Sequence, residues 1–445
     1  MRNDIMHMGR FVVAGLFTVV VLLGATSRTE AVTYPVTGLG LMDPNGTTTP
    51  LSVNNGRVVV GFATVNFLGY QVPHAFLWQN GVMTDLGTLE LAYFAVARCI
   101  NDANQVVGLS FYGQEHAWLW QNGVMTDLGT LSGNPNDLSG AFGINELGEV
   151  AGNSSTQAEP NVQHAFLWRN GTMTSLGSLG GGQSWAWDIN DSTQIVGHSN
   201  NRAFLWEKGV MSSLGTLPGY TASSQALAIN ASGKVIGTST DPNGLIHSFL
   251  WQNGTMTDLG TLPGRPSTVA SAINNADLIV GASSDPNGDS RAFLWKQGAM
   301  YDLNTLVDPN SGWVLGAALG INDRGHIVGI GSRQGKSRGF IMQVYTLSLT
   351  VNGSNYGTVQ VEPNLVFYEP NAAVTLRAIP NEGKGFFGWS GDVPAGHEFD
   401  NPLTVTMDSS KNIQATFRCG MGMGPMLPLS AVGLVVMYGW RRRGH

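Results

Sequence analysis

His74-Ala75-Phe76-Leu77-Trp78-Gln79-Asn80-Gly81-Val82-Met83-Thr84-Asp85-Leu86-Gly87-Thr88-Leu89 is the stretch whose reading decides the fold. Asn80-Gly81 stands between two apolar-rich runs. It is the strongest two-residue hairpin signal, because both central positions of the favoured turn need φ > 0. Along the first run His74, Phe76 and Trp78 share one face of a strand and Ala75 and Leu77 the other. The unit recurs with core tryptophans at Trp78, Trp120, Trp168, Trp206, Trp251 and Trp295. A degenerate seventh copy, Arg338-Gly339-Phe340-Ile341-Met342, lacks the indole.

A second hairpin precedes each copy. Its cleanest forms are Ile100-Asn101-Asp102-Ala103-Asn104-Gln105-Val106-Val107-Gly108 and Ala226-Leu227-Ala228-Ile229 turning at Asn230-Ala231-Ser232-Gly233, and the others end at Gly61, Gly152, Gly197, Gly281 and Gly329. The period is about 44 residues, the spacing of four-stranded propeller blades. One such blade cannot bury its aromatics alone, so the units must stack, and a ring leaves only short edges. The seventh copy has no Met-Thr-Asp-Leu-Gly strand after it, whereas Tyr34-Pro35-Val36-Thr37-Gly38-Leu39-Gly40 precedes the first hairpin with no blade of its own. The expectation is an all-β, seven-bladed β-propeller over residues 32–344, closed by the N-terminal strand. An open β-solenoid would instead leave Val36 and Phe340 unpaired.

Composition agrees with turn-rich β structure: 59 glycines, 12 tryptophans and only 12% charged residues. A net charge of −7 without a basic stripe disfavours nucleic acid as a partner. Cys99 and Cys419 are too few for a disulfide framework and are expected not to pair. Arg2 and Arg10, an apolar run from Phe11 to Ala25 broken by Thr18, and small residues up to Ala31 read as a secretory signal peptide over residues 1–31. At the far end Cys419-Gly420 leads through an apolar stretch to Arg441, Arg442 and Arg443. That order suits a tail that pauses in the membrane with its arginines inside.

Residues 419–445 resemble bacterial Cys-Gly protein-sorting tails of the myxosortase-like or PEP-CTERM-like kind. The resemblance implies sorting machinery as a partner, Cys419 as the processing or anchoring position, and membrane association before processing; a plain membrane anchor is the alternative. The repeats, through His74-Ala75-Phe76 and His164-Ala165-Phe166, resemble the HAF-repeat family of bacterial extracellular proteins, which implies export and no established activity. The copies depart from the motif at Trp118, Ser248, Arg202, Arg291 and Arg338. From Tyr345 the repeat stops. Residues 345–418, with Tyr356-Gly357-Thr358-Val359, Phe386-Phe387-Gly388-Trp389-Ser390-Gly391-Asp392 and Ile413-Gln414-Ala415-Thr416-Phe417, resemble a divergent internalin-B-type B-repeat, a small all-β module that implies a spacer or adhesive element.

Tight turns within each hairpin pair must lie on one face of the ring. The opposite face receives the long, dissimilar connections at 63–73, 133–139, 153–163, 240–246, 283–290 and 308–313, and irregular loops on a rigid scaffold are where binding usually sits. Tyr70, Trp185, Tyr220 and Trp313 are the candidate ligand-stacking groups there, against the blander reading that they pack the loops down. Asp43, Asp241, Asp285 and Asp308 each open an Asp-Pro-Asn sequence; one resembles half of a calcium loop, but turn chemistry is the stronger reading. His74, His116, His164 and His247 recur at one blade position, too far apart around a ring for shared metal ligation. No catalytic, metal or cofactor signature stands out. The expected function is a non-catalytic surface scaffold for an extracellular glycan or protein ligand. The alternatives are a secreted polysaccharide-active propeller enzyme and a structural envelope component.

Overall fold

A computed structural model describes residues 33–90, 92–157 and 162–419. The expected signal peptide, and the tail beyond Cys419 with Arg441, Arg442 and Arg443, lie outside the described residues. Seven four-stranded antiparallel sheets follow one another along the chain. In blade 1 the strands run from the inside outward as A (Thr48–Val53), B (Val59–Phe67), C (Tyr70–Gln79) and D (Val82–Gly87). The seventh blade takes A, B and C from Trp313–Ile321, His326–Arg333 and Lys336–Gln343. Its fourth strand is Val36–Gly38, with Val36 opposite Met342 and Gly38 opposite Phe340. The ring is shut by the chain start, as the repeat count requires.

Hairpin chemistry follows the sequence. Asn80, Asn122, Asn170 and Asn253 have φ near +50° and each precedes a glycine near +80° in a tight C-D turn. The strand C aromatic two residues before the recurrent tryptophan position is the deepest: Phe76, Phe166, Phe204, Phe249, Phe293 and Phe340 are fully buried, and Trp118 fills the same place in blade 2. Its indole Nε1 finds no acceptor there, because the position was shaped for a ring with no polar edge. Trp120, Trp168, Trp206 and Trp251, two residues further along strand C in blades 2 to 5, are only half-buried, so they cap the blade contacts rather than fill them.

Each A strand carries a β-bulge at the same place, between Pro50 and Ser52, Ala97 and Cys99, Ala141 and Gly143, Ala186 and Asp188, Ala226 and Ala228, Ala270 and Ala272, and Ala318 and Gly320. The recurrent strand B glycine exists for this bulge. A Cβ on Gly237 would lie 2.0 Å from the Gln225 carbonyl oxygen and 2.6 Å from Phe249 Cζ. Backbone and ring both pass where a side chain would start.

Beyond Gln343 the chain builds a module of two three-stranded sheets. In one, Leu347–Asn352 runs parallel to Lys411–Cys419, which pairs on its other side with Lys384–Gly391. Leu376, Trp389, Met407 and Phe417 lie in its core. A contact joins it to the last blades: Phe367 is buried among propeller residues including Leu303 and Val307 and meets Tyr301 edge-on.

Candidate functional site

The A strands line a central channel, and the bulges divide it. Before the bulge, alternation buries one residue in two; the extra residue then resets the phase. The bulged positions Leu51, Arg98, Phe142, Trp187, Leu227, Ser271 and Leu319 all border one cavity of about 200 Å³. Two residues on, Val53, Ile100, Ile144, Ile189, Ile229, Ile273 and Ile321 form a collar in which no member is more than 9% exposed. That exposure is too small for an open passage, so the channel is two cups set floor to floor.

The cup on the tight-turn face, about 350 Å³, holds the ring together. Asn54 Nδ2 donates to the Asn101 carbonyl oxygen, and the link repeats through Asn145, Asn190, Asn230, Asn274 and Asn322, whose Nδ2 returns to the Asn54 oxygen. Every step is buried and joins neighbouring blades. A second tier sits outside it: Asp102, Glu146, Asp191, Asn275, Asp323 and Asn55 each accept from the backbone N–H of the preceding blade's turn. Burial and the nearby Asp102 and Asp191 charges raise the Glu146 carboxyl above its ordinary value, against the pull of the Asp102 N–H. These carboxylates are structural acceptors. Among the described residues no group of three His, Cys, Asp or Glu is placed to hold a metal ion.

One link of this ring titrates. In blade 7 the Asn322 amide faces His326 Nδ1 at 3.1 Å, where blades 2 and 4 use Gln105 and Gln194. Burial, then the charges of Arg57 and Arg324, push His326 down to about 4. A histidine depressed below its unfolded value contributes stability above about pH 6.5 and loses it as pH falls toward 4. Going from about pH 7 to about pH 5 should therefore cost on the order of 2 kcal/mol at this seam. His326→Gln keeps an acceptor without titrating, so in denaturant melts the parent should lose on the order of 2 kcal/mol more than the variant between about pH 7 and about pH 5. The paired comparison removes the opposite contribution of Asp188, whose carboxyl burial raises to about 6. Equal acid losses in both chains would refute the assignment.

The cup on the long-connection face differs from blade to blade. Blades 2, 3 and 4 contribute Arg98, Phe142 and Trp187. The Arg98 guanidinium stands over the Phe142 ring at 5.4 Å, and the Trp187 ring meets Phe142 edge-on at 4.8 Å. Trp187 Nε1 donates to His198 Nδ1, and His198 in turn stacks on Trp185 at 4.8 Å. Below them Asp188 accepts from the N–H groups of Ile189 and Ile229, so it ties blade 4 to blade 5. The other arc is Leu51, Leu227, Ser271 and Leu319.

Of the four aromatics expected to bind, Trp185 alone borders this cluster, and its indole N–H donates to Gln163. Tyr220 is half-buried against His247, a loop-packing contact. Trp313 is a correction: it is 8% exposed, packed against Phe340 in the core, so it cannot stack on a ligand. The long connection expected at 63–73 is also corrected, since strands B and C of blade 1 extend to a tight turn with Phe67 opposite Tyr70. Tyr70 is therefore exposed at a hairpin tip, away from the cup. Arg98, Phe142 and Trp187 escaped the sequence reading because they sit inside regular strands; a comparison of the seven copies position by position, which shows this column varying while its neighbours repeat, is the signal that finds them.

The remaining candidates have structural work. His74, His116 and His247 pair through Nδ1 with Asp85, Asp127 and Asp258 at 2.8–2.9 Å, clamping strand C to strand D. Asp43, Asp241, Asp285 and Asp308 each accept from the N–H two residues on, the turn role expected of them. Cys99 and Cys419 are both free thiols. Cys419 is exposed, and Lys384 Nζ at 2.8 Å holds its thiol below the ordinary value, the direction that favours thiolate.

Residues 347–420 match the family described as the divergent InlB B-repeat domain. No curated protein matches the chain. Solved structures that resemble it include the β-propeller domain of the trilobed protease from Pyrococcus furiosus, at 14% identity, 60% of this chain, 86% of that chain and a TM-score of 0.43. An oligogalacturonate lyase from Vibrio parahaemolyticus matches at 10%, 71%, 94% and 0.47. Such distant likenesses bear on no activity. The chain is thus a seven-bladed β-propeller protein, a class defined here by its sheets and closed amide ring. More particularly, it is a propeller followed by a B-repeat-type domain, which fits a repeat scaffold.

Proposed function

We propose that this protein is an exported, cell-surface binding scaffold without catalytic activity, whose propeller presents one cup to an extracellular glycan or protein. The observation that carries this reading is the contrast between the two cups. Six of seven blades keep a side-chain acceptor in the outer amide tier, and all seven keep the inner asparagine, because ring closure dictates them. The bulged column on the other side is free of that demand and holds a cation, two aromatics, a hydroxyl and three leucines. Variation confined to a lined cavity on a rigid frame is what a recognition site requires.

The B-repeat-type domain suits a surface or extracellular protein. Export by residues 1–31, the HAF-type resemblance and processing at Cys419 belong to the same proposal, supported by an exposed thiol that Lys384 biases toward thiolate. Cell fractionation with mass spectrometry of the mature termini should place the chain outside the cytoplasm; a solely cytoplasmic pool overturns export. The purified chain, applied to arrays of polysaccharides and extracellular proteins, should bind at least one saturably and leave its mass unchanged. Binding to none, or turnover of one, overturns the reading.

A further inference from the structure

The cup on the long-connection face contains a guanidinium whose one contact is an aromatic face. Among the described residues Arg98 makes no hydrogen bond and no ion pair; Glu115 is felt only as a distant charge. Its side chain is walled by protein on several sides yet more than a third exposed, because the space it points into is the open cup. Arg98 therefore bears a desolvation cost with only the Phe142 face in return, and a carboxylate entering the cup would supply the bidentate partner it lacks.

The rest of the wall specifies what carries that carboxylate. Leu51, Leu227 and Leu319, with the half-buried Phe142 and Trp187, offer apolar surface to a ring. The Ser271 hydroxyl has no partner among the described residues, and Asp188, whose two oxygens each take one N–H, borders the same cavity. A purely aromatic acid would leave those polar groups dry and unsatisfied, whereas sugar hydroxyls would satisfy them. About 200 Å³ is below the size of a typical drug-sized site and suits one ring. The collar beneath prevents a chain from threading through, so the ring that enters is a terminal one.

We propose that this cup binds the terminal carboxylate-bearing sugar of an acidic glycan, with Arg98 on the carboxylate and Phe142 and Trp187 beside the sugar ring. This rests on the scaffold reading above and names its ligand class and site. Isothermal titration of the full chain would use trigalacturonate and sialyllactose, which separate a uronic from a sialic source, with neutral lactose and 2-naphthoate as counter-probes. One of the two acidic sugars should bind, lactose and naphthoate at least about tenfold more weakly. Arg98→Leu should lose about tenfold to a hundredfold, the equivalent of one charge-assisted bidentate contact, and Arg98→Lys should lose less. Among the described residues Arg98 has no hydrogen-bond or ion-pair partner and only the Phe142 ring beside it, so its variants should melt close to the parent; Phe142→Leu provides a second variant that keeps the cup apolar.

Binding of lactose or naphthoate as tight as the acidic sugars overturns the ligand class. Acidic-sugar binding that survives both Arg98→Leu and Phe142→Leu overturns the site. Neither acidic sugar binding also overturns it, and the array then separates the two readings: capture of some other glycan or protein leaves the scaffold standing, while capture of none removes both.

Discussion

Removing residues 33–40 is expected to open the ring and to leave a chain that self-associates. Those residues supply the outer strand of blade 7, with Val36 to Gly38 paired along the Lys336–Gln343 strand. They also bury Tyr34 and Leu39, each at 3% exposure, one in the core of the last blades and the other between blades 7 and 1. Burial of two such side chains is worth about 3–6 kcal/mol, a large share of the net stability of most domains. The exposed edge of the Lys336–Gln343 strand would then accept a strand from another molecule. Light scattering should show oligomers, and a synthetic peptide of residues 33–40 added in trans should return the monomer. A deleted chain that stays monomeric with an unchanged melting temperature would show that the seam is held elsewhere.

Asn190→Ala should be strongly destabilising on the tight-turn face. Asn190 Nδ2 donates to the Asn230 carbonyl oxygen and to Gln194 Oε1, while its Oδ1 accepts from the N–H groups of Ser192 and Gln194. Alanine strands one carbonyl and two amides at a site only 6% exposed. At about 1–3 kcal/mol for each buried group left unpaired, softened by water entering the cup, the loss should be about 3–5 kcal/mol in urea denaturation. Serine at the same position, which can restore one of the turn acceptors, should recover part of it. A change below about 1 kcal/mol would mean that the amide circle decorates a ring already closed by packing.

Much of this was legible in the residue string because propeller blades are local objects. An Asn-Gly turn between two apolar runs fixes a hairpin without reference to the rest of the chain. Counting hairpins gives seven blades, and the unpaired strand at Val36 has one vacant partner, the edge at Phe340. The small C-terminal module is legible for the same reason: its alternating runs stop matching the repeat at Tyr345.

What the string alone could not settle is which residues face the axis. Alternation assigns sides by parity, and a bulge at the same point of every A strand shifts that parity by one. Arg98, Phe142 and Trp187 are the extra residues at those bulges and thereby turn into the channel. Trp313 fails in the opposite direction: it follows a loop, where aromatics often meet ligands, but the packing of Phe340 and the closing strand covers it. The asparagines read as turn residues in sequence and are so, yet their amides span blades about 44 residues apart, and the last link joins Asn322 to Asn54 across nearly the whole propeller. Local sequence determined the blades and their number; closure of the ring decided what lines its centre, because only then do seven separate bulges and seven separate amides meet around one axis.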